Sequence, residues 1–230
     1  MIWNEPDLYG GDSDAITTTL AAQYFKTISD TILGADPTAR LIVGNVSSEY
    51  VPGPNLPPYH GIYWLTNFLN AYTTTYGIDP RPAIAGYGVH AYSNAGGRGL
   101  GLSDCGDLLI TSADDCLLQH FTTTVLTAVN WLSVTDPSKE VWVTEANWQS
   151  GNINGDTWIT QTSRMQQICA QLPLLGINRY GWWNGDYPYT TTKPGLITPS
   201  LYLADISTNT VVYTGTLSPA GTAFINNCTN

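Results

Sequence analysis

Short runs rich in β-branched and aromatic residues alternate along this chain with longer stretches whose apolar residues recur every three or four positions, and the pairing repeats five times. A chain with that rhythm has few options. Strand followed by helix, over and over, predicts a parallel sheet with helices packed outside it, the α/β class, here as one domain over residues 1–230. Ile16, Leu20, Tyr24, Ile28 and Ile32 recur every four residues with Ala21 and Phe25 beside them, which predicts a helix burying that face. Asp12, Ser13 and Asp14 are candidate caps at its start, and Gly34 and Pro37 end it. Leu41-Ile42-Val43-Gly44-Asn45 reads as a buried strand, and Ile62, Leu65, Leu69 and Tyr72 mark the next helix. Residues 83–92 form a strand on which His90 and Tyr92 share a face by period two. A Gly- and Asp-rich loop, 93–115, leads to a helix carrying Phe121, Val125, Val129 and Leu132, which Asp136-Pro137 terminates. Further strands are expected at 141–145 and 177–183, separated by a helix with Met165, Ile168, Cys169 and Leu172 on one side. A small hairpin (201–205 and 210–214) and a helix opened by Ser218 and Pro219 close the chain.

Two of these strands end in a carboxylate. Met1-Ile2-Trp3-Asn4-Glu5 runs into Pro6, and Val141-Trp142-Val143-Thr144 runs into Glu145. A glutamate at the carboxyl end of each of two strands of one sheet is what retaining glycoside hydrolysis needs, one as acid/base and the other as nucleophile.

Composition narrows the partners. Hydrophobic residues are 43% of the chain and charged residues 11%, enough apolar material for a sizeable core. Eight basic residues face 18 acidic ones, a net charge of −10, which repels phosphate backbones and anionic membranes. Neither nucleic acid nor membrane is therefore expected as a partner, and the glutamate pair makes the expected one a carbohydrate substrate. No apolar run is long enough to span a bilayer, and the first residues lack the basic and apolar regions of a secretory signal. The four cysteines suit an oxidising compartment, and the pairing favoured is Cys105–Cys116 with Cys169–Cys228. No C-x-x-C is present and His60, His90 and His120 are scattered, so neither metal nor cofactor is expected.

The chain resembles the clan-A retaining glycoside hydrolases, whose acid/base glutamate ends the fourth strand of a TIM (β/α)8 barrel within Asn-Glu-Pro and whose nucleophile ends the seventh. Asn4-Glu5-Pro6 and Thr144-Glu145 stand in those places. Strands 41–45 and 83–92 fit between as the fifth and sixth, and the His90-x-Tyr92 pattern is similar to the family's. The resemblance implies a partial TIM barrel, strands 4–8 with outer helices and a small C-terminal β-hairpin. Strands one to three would be missing. A full barrel hides its edges, so five units imply a truncated product, a partial barrel completed by something else, or an independent five-unit domain. It also implies secretion, with the signal segment lying ahead of the absent strands.

By the same resemblance Glu5 is expected to give and take the proton and Glu145 to form the glycosyl ester. Each also has a plainer reading, as a turn carboxylate before Pro6 or a strand-end glutamate in a salt bridge. Asn4 is expected to bond the sugar 2-hydroxyl, or else to make an Asx turn. His90 and Tyr92 line the site or serve as satisfied core residues. Trp182 and Trp183 point to opposite sides of their strand, so only one can face the sugar; Trp183, next to the loop, is slightly favoured. Trp148 and Trp3 are weaker stacking platforms. Trp64, Trp131 and Trp142 are expected between helix and sheet. A catalytically impaired carbohydrate-binding remnant of such a barrel is the alternative function, and an unrelated α/β binding domain a third.

Overall fold

The computed structural model describes residues 1–7, 16–47, 60–92, 113–147, 158–182, 202–205, 212–217 and 219–228. The chain forms two compact units: one made of residues 1–91, 123–145 and 177–180, the other of 92–122, 146–176 and 181–230. Its elements run α1 (Thr18–Ala35), β1 (Ile42–Ser47), α2 (His60–Tyr76), β2 (Gly86–Tyr92), α3 (Ala113–Thr135), β3 (Glu140–Asn147), α4 (Trp158–Leu174), β4 (Tyr180–Trp182), β5 (Tyr202–Asp205), β6 (Val212–Leu217) and α5 (Pro219–Cys228). Strands β1 to β4 make one sheet in chain order. Sequential neighbours joined by helices are the connection a parallel sheet requires, and β1 and β2 are parallel in the expected way. The first residues add to this edge: Ile2 bridges Val43 in parallel, its N–H donating to the Ile42 carbonyl at 3.0 Å.

Strand β1 is buried along its whole length, as a strand covered on both faces must be. Val43, Val46, Leu65, Phe68 and Val143 are fully enclosed, and Tyr87 and Val89 nearly so. Trp3 packs on the same core. Its ring meets Trp64 and Phe68 edge to face, with centroids 5.7 and 5.5 Å away, the geometry aromatic quadrupoles favour. Trp64 also donates its indole N–H to the Ile16 carbonyl, and Trp131 donates to Thr66 Oγ1, so both satisfy their polar ends while covering the sheet. In the second unit Met165, Ile168 and Leu172 of α4 are fully buried, and the Cys169–Cys228 disulfide ties α4 to α5. Cys105 lies outside the described residues, as does the Cys116 side chain, so the other expected pairing falls there.

Three expectations need correction. Helix α1 forms and buries Ala21 and Phe25 as expected, together with Ala22 and Ser29, but Leu20, Tyr24 and Ile32 of the expected row are exposed. An i+4 row advances about 400° per step against a turn of 360°, so five such residues drift around the helix instead of staying on one side. Its cap is Thr17, whose hydroxyl accepts from Leu20 N–H, and not residues 12–14. Trp142, expected between helix and sheet, is half-buried and flanked by guanidinium groups: Arg179 and Arg40 lie 5.1 and 5.8 Å from its ring centroid. Both arginines and the Trp142 indole converge on the single oxygen Oε2 of Glu140. Indole donation comes first, and with the two arginines it holds the Glu140 carboxyl below the ordinary glutamate range.

Candidate active site

The carboxyl ends of the strands gather three titratable side chains within the first unit. Glu5 follows the segment that bridges β1, His90 is near the end of β2, and Glu145 near the end of β3. Ligand-bearing atoms of the three lie within 4.8 Å of one another. His90 Nδ1 is 3.0 Å from Glu5 Oε1 and 3.3 Å from Glu145 Oε2, and the imidazole is only 1% exposed. The carboxylates keep more access to solvent, at 23% and 18%. A buried imidazole thus stands between two half-open carboxyl groups. One ring nitrogen carries at most one proton, so it donates to whichever carboxylate is ionised, or accepts from a protonated one. Thr144, beside Glu145, donates its hydroxyl to the Val89 carbonyl and ties β3 to β2 next to the site.

This arrangement can do two kinds of chemistry. Paired carboxyl groups at this spacing can act as proton donor and nucleophile on a bond placed between them. Two carboxylate oxygens and an imidazole nitrogen are also a donor set that suits a divalent cation. The scatter of the histidines along the chain, taken as evidence against a metal, says little here, because the donors arrive from separate strands, Glu5 and His90 being 85 residues apart.

Glu5 is held in an unusual backbone. Trp3 (φ 66°), Glu5 (φ 44°) and Asn45 (φ 48°) all adopt the left-handed conformation. For a Trp or a Glu this costs about 1–3 kcal/mol each, so the surroundings must over-determine it. They do. Asn45 sits at a β-bulge in β1, where the register to β2 shifts between Gly44 and Val46. Its side-chain amide donates to the Trp3 carbonyl at 2.8 Å and the Ile2 carbonyl at 3.2 Å, and its own carbonyl accepts from Glu5 N–H at 3.0 Å. On the far side, Asp7 is buried and its Oδ1 accepts from Ser47 N–H at 3.0 Å. Sequence reasoning passed over Asn45 and Asp7. An Asn closing a buried strand directly after a Gly was the available signal, since those two residues tolerate positive φ best.

The other expected site residues are placed as follows. Asn4 is exposed beside Glu5. Tyr92 and Trp182 lie on β2 and β4, but their side chains are outside the described residues, as are Trp183 and Trp148 altogether. Trp3 commits its ring to the Trp64 and Phe68 cluster and not to an open platform.

No protein-family model matches the chain, and no curated protein matches it by sequence. Solved structures do match. An endo-β-1,3-glucanase of family GH128 (subgroup II) from Pseudomonas viridiflava superposes with a TM-score of 0.58 at 21% identity, over 96% of this chain and 66% of that one. A xyloglucanase of glycoside hydrolase family 44 from Paenibacillus polymyxa does so with a TM-score of 0.51 at 13% identity, over 80% of this chain and 41% of that one. The chain has an α/β fold similar to that of glycoside hydrolases, and it spans less than two thirds of the length of either enzyme.

Proposed function

We propose that this chain belongs to a retaining glycoside hydrolase that cleaves O-glycosidic bonds in a neutral poly- or oligosaccharide, with Glu5 as acid/base and Glu145 as nucleophile. The observation that carries the reading is the closeness of the two carboxyl groups, whose nearest donor atoms fall within 4.8 Å along with His90 Nδ1. Retaining enzymes hold their carboxyl groups about 5–5.5 Å apart, whereas inverting ones need about 6.5–9.5 Å to admit a water. The spacing favours the first.

In this mechanism the ionised Glu145 attacks the anomeric carbon while Glu5 gives its proton to the departing oxygen, leaving a glycosyl ester on Glu145. Glu5, now a carboxylate, takes a proton from water, which attacks the same carbon and releases Glu145. His90, within reach of both carboxyl groups, orients the pair through the cycle. Asn4, exposed beside Glu5, is the residue assigned to the sugar 2-hydroxyl, and Tyr92, Trp182, Trp183 and Trp148 are the candidates for the walls. The same reading takes residues 1–5 and β1 to β4 as strands four to eight of a partial barrel in a secreted enzyme. The 66% coverage of the glucanase supports the first point and the Cys169–Cys228 disulfide the second.

Trapping tests it. A 2-deoxy-2-fluoro glycoside should leave a covalent adduct on the peptide containing Glu145, found by mass spectrometry, and Glu145→Gln should abolish it. β-1,3-Glucan and xyloglucan are the first natural substrates to assay, after the activities of the two structural neighbours. Saccharide binding with neither adduct nor turnover would replace the proposal with a carbohydrate-binding remnant.

A further inference from the structure

We infer that Asn45 is a positioning residue for Glu5, acting on the proton donor of the site and not on its nucleophile. The inference rests on the acid/base reading of Glu5. Asn45 alone makes three hydrogen bonds to the segment that carries Glu5: two from the side-chain amide to the Ile2 and Trp3 carbonyls, and one accepted by the backbone carbonyl from Glu5 N–H. The amide is 2% exposed, so water does not compete for those bonds. Both of its N–H groups are used, which fixes its orientation, and Oδ1 is turned toward Gly88 on β2.

The bulge explains why the residue is shaped for this. A regular strand would send successive side chains to alternate faces, above and below the sheet. The register shift after Gly44, with φ 97° at Gly44 and 48° at Asn45, turns the Asn45 side chain along the sheet edge toward residues 2 and 3. Trp3 and Glu5 are left-handed on either side of Asn4, and the Trp3 carbonyl and the Glu5 N–H that bracket it are both gripped by Asn45. The conformation that brings Glu5 Oε1 to 3.0 Å from His90 is therefore set by an amide on the neighbouring strand. Glu145 is carried by β3, and β2 stands between that strand and the one that carries Asn45.

This asymmetry makes the role separable from ordinary structural support. A proton donor matters when the leaving group is a sugar alkoxide and hardly at all when it departs readily as an anion. The experiment compares the parent, Glu5→Ala, Asn45→Gly and Asn45→Asp on two substrates of the same sugar: the polysaccharide the parent cleaves, and its 2,4-dinitrophenyl glycoside. Glycine keeps the positive φ while deleting the amide; aspartate keeps the shape but sets an acceptor against two carbonyls. Both Asn45 variants are expected to lose about 10- to 100-fold in kcat/KM on the polysaccharide, a share of the ~10²–10⁴-fold that general acid catalysis supplies. On the dinitrophenyl glycoside the loss in kcat/KM, which reports the first step and not the base-assisted hydrolysis of the ester, should stay within about threefold, the pattern of Glu5→Ala in milder form. Equal losses on both substrates from Asn45→Gly and Asn45→Asp, with Glu5→Ala still selective, would overturn the positioning role and leave Asn45 as a stabilising residue only. Equal losses from Glu5→Ala would instead remove the acid/base assignment itself. Urea unfolding followed by tryptophan fluorescence establishes which variant is folded under assay conditions, and either one suffices to decide.

Discussion

A single methyl group on β2 should disturb both stability and turnover. In Gly88→Ala the new Cβ would lie 2.1 Å from Asn45 Oδ1, 3.0 Å from its Cγ and 3.1 Å from its backbone nitrogen. No pair of heavy atoms tolerates the first distance, so the amide must retreat by about 1 Å or β1 and β2 must part. The amide has little room to do so, because Nδ2 is tied to the Ile2 and Trp3 carbonyls and the residue is buried. Forcing a group into a filled core costs about 1–3 kcal/mol. Breaking the two amide hydrogen bonds adds about 0.5–1.5 kcal/mol each, so the whole loss is about 2–6 kcal/mol. A displacement near 1 Å passed on to Glu5 should lower kcat on polysaccharide by about 100-fold. The assay is urea unfolding followed by tryptophan emission, with kcat measured well below the transition. A stability change under about 0.5 kcal/mol, the range of neutral surface substitutions, together with unchanged kcat, would refute the account of Gly88 as the clearance for Asn45.

The remaining expectations concern places away from the site. Replacing both Cys169 and Cys228 by Ala opens a link between residues 59 apart and should cost about 4 kcal/mol in urea unfolding, from the chain entropy returned to the unfolded state. Gly34→Ala in α1, where an added Cβ meets nothing within 4 Å, should raise stability by about 0.5–1 kcal/mol and leave kcat untouched. The lowered Glu140 carboxyl gives stability that is fully present above the ordinary glutamate range and is lost as pH falls through the lowered value. Parent and Glu140→Gln should therefore differ most in melting temperature near neutral pH and converge in acid; a gap that persists in acid would show that charge is not the cause.

The α/β order was legible because it rests on local signals: apolar period, Gly and Pro breaks, and β-branched runs between them. The terminal helix begins at Pro219 and ends at Cys228 as Ser218-Pro219 suggested, since proline at a first helical position is a local choice. What failed was the use of spacing as a proxy for direction. The Leu20, Tyr24, Ile32 row looked like a buried face, yet Ala21, Ala22, Phe25 and Ser29 hold that place, with Phe25 packed edge to face on Phe68 and Tyr72 of α2. At the site, Asn-Glu-Pro and Thr-Glu drew attention to two glutamates, and the structure brings both to one place with His90. The grip of Asn45 on residues 2, 3 and 5 was not legible. It depends on a register shift between two strands, and a bulge has no signature in the periodicity of either one alone.

Asn45 holds the Glu5 segment through both its side-chain amide and its backbone carbonyl, whereas Glu145 belongs to β3, which stands between β2 and β4. The two carboxyl groups are thus anchored with unequal redundancy. A defect in one neighbour of β3 leaves the other in place, but a defect at one position of β1 removes several supports of Glu5 together. Damage to the pair should therefore enter from β1 first.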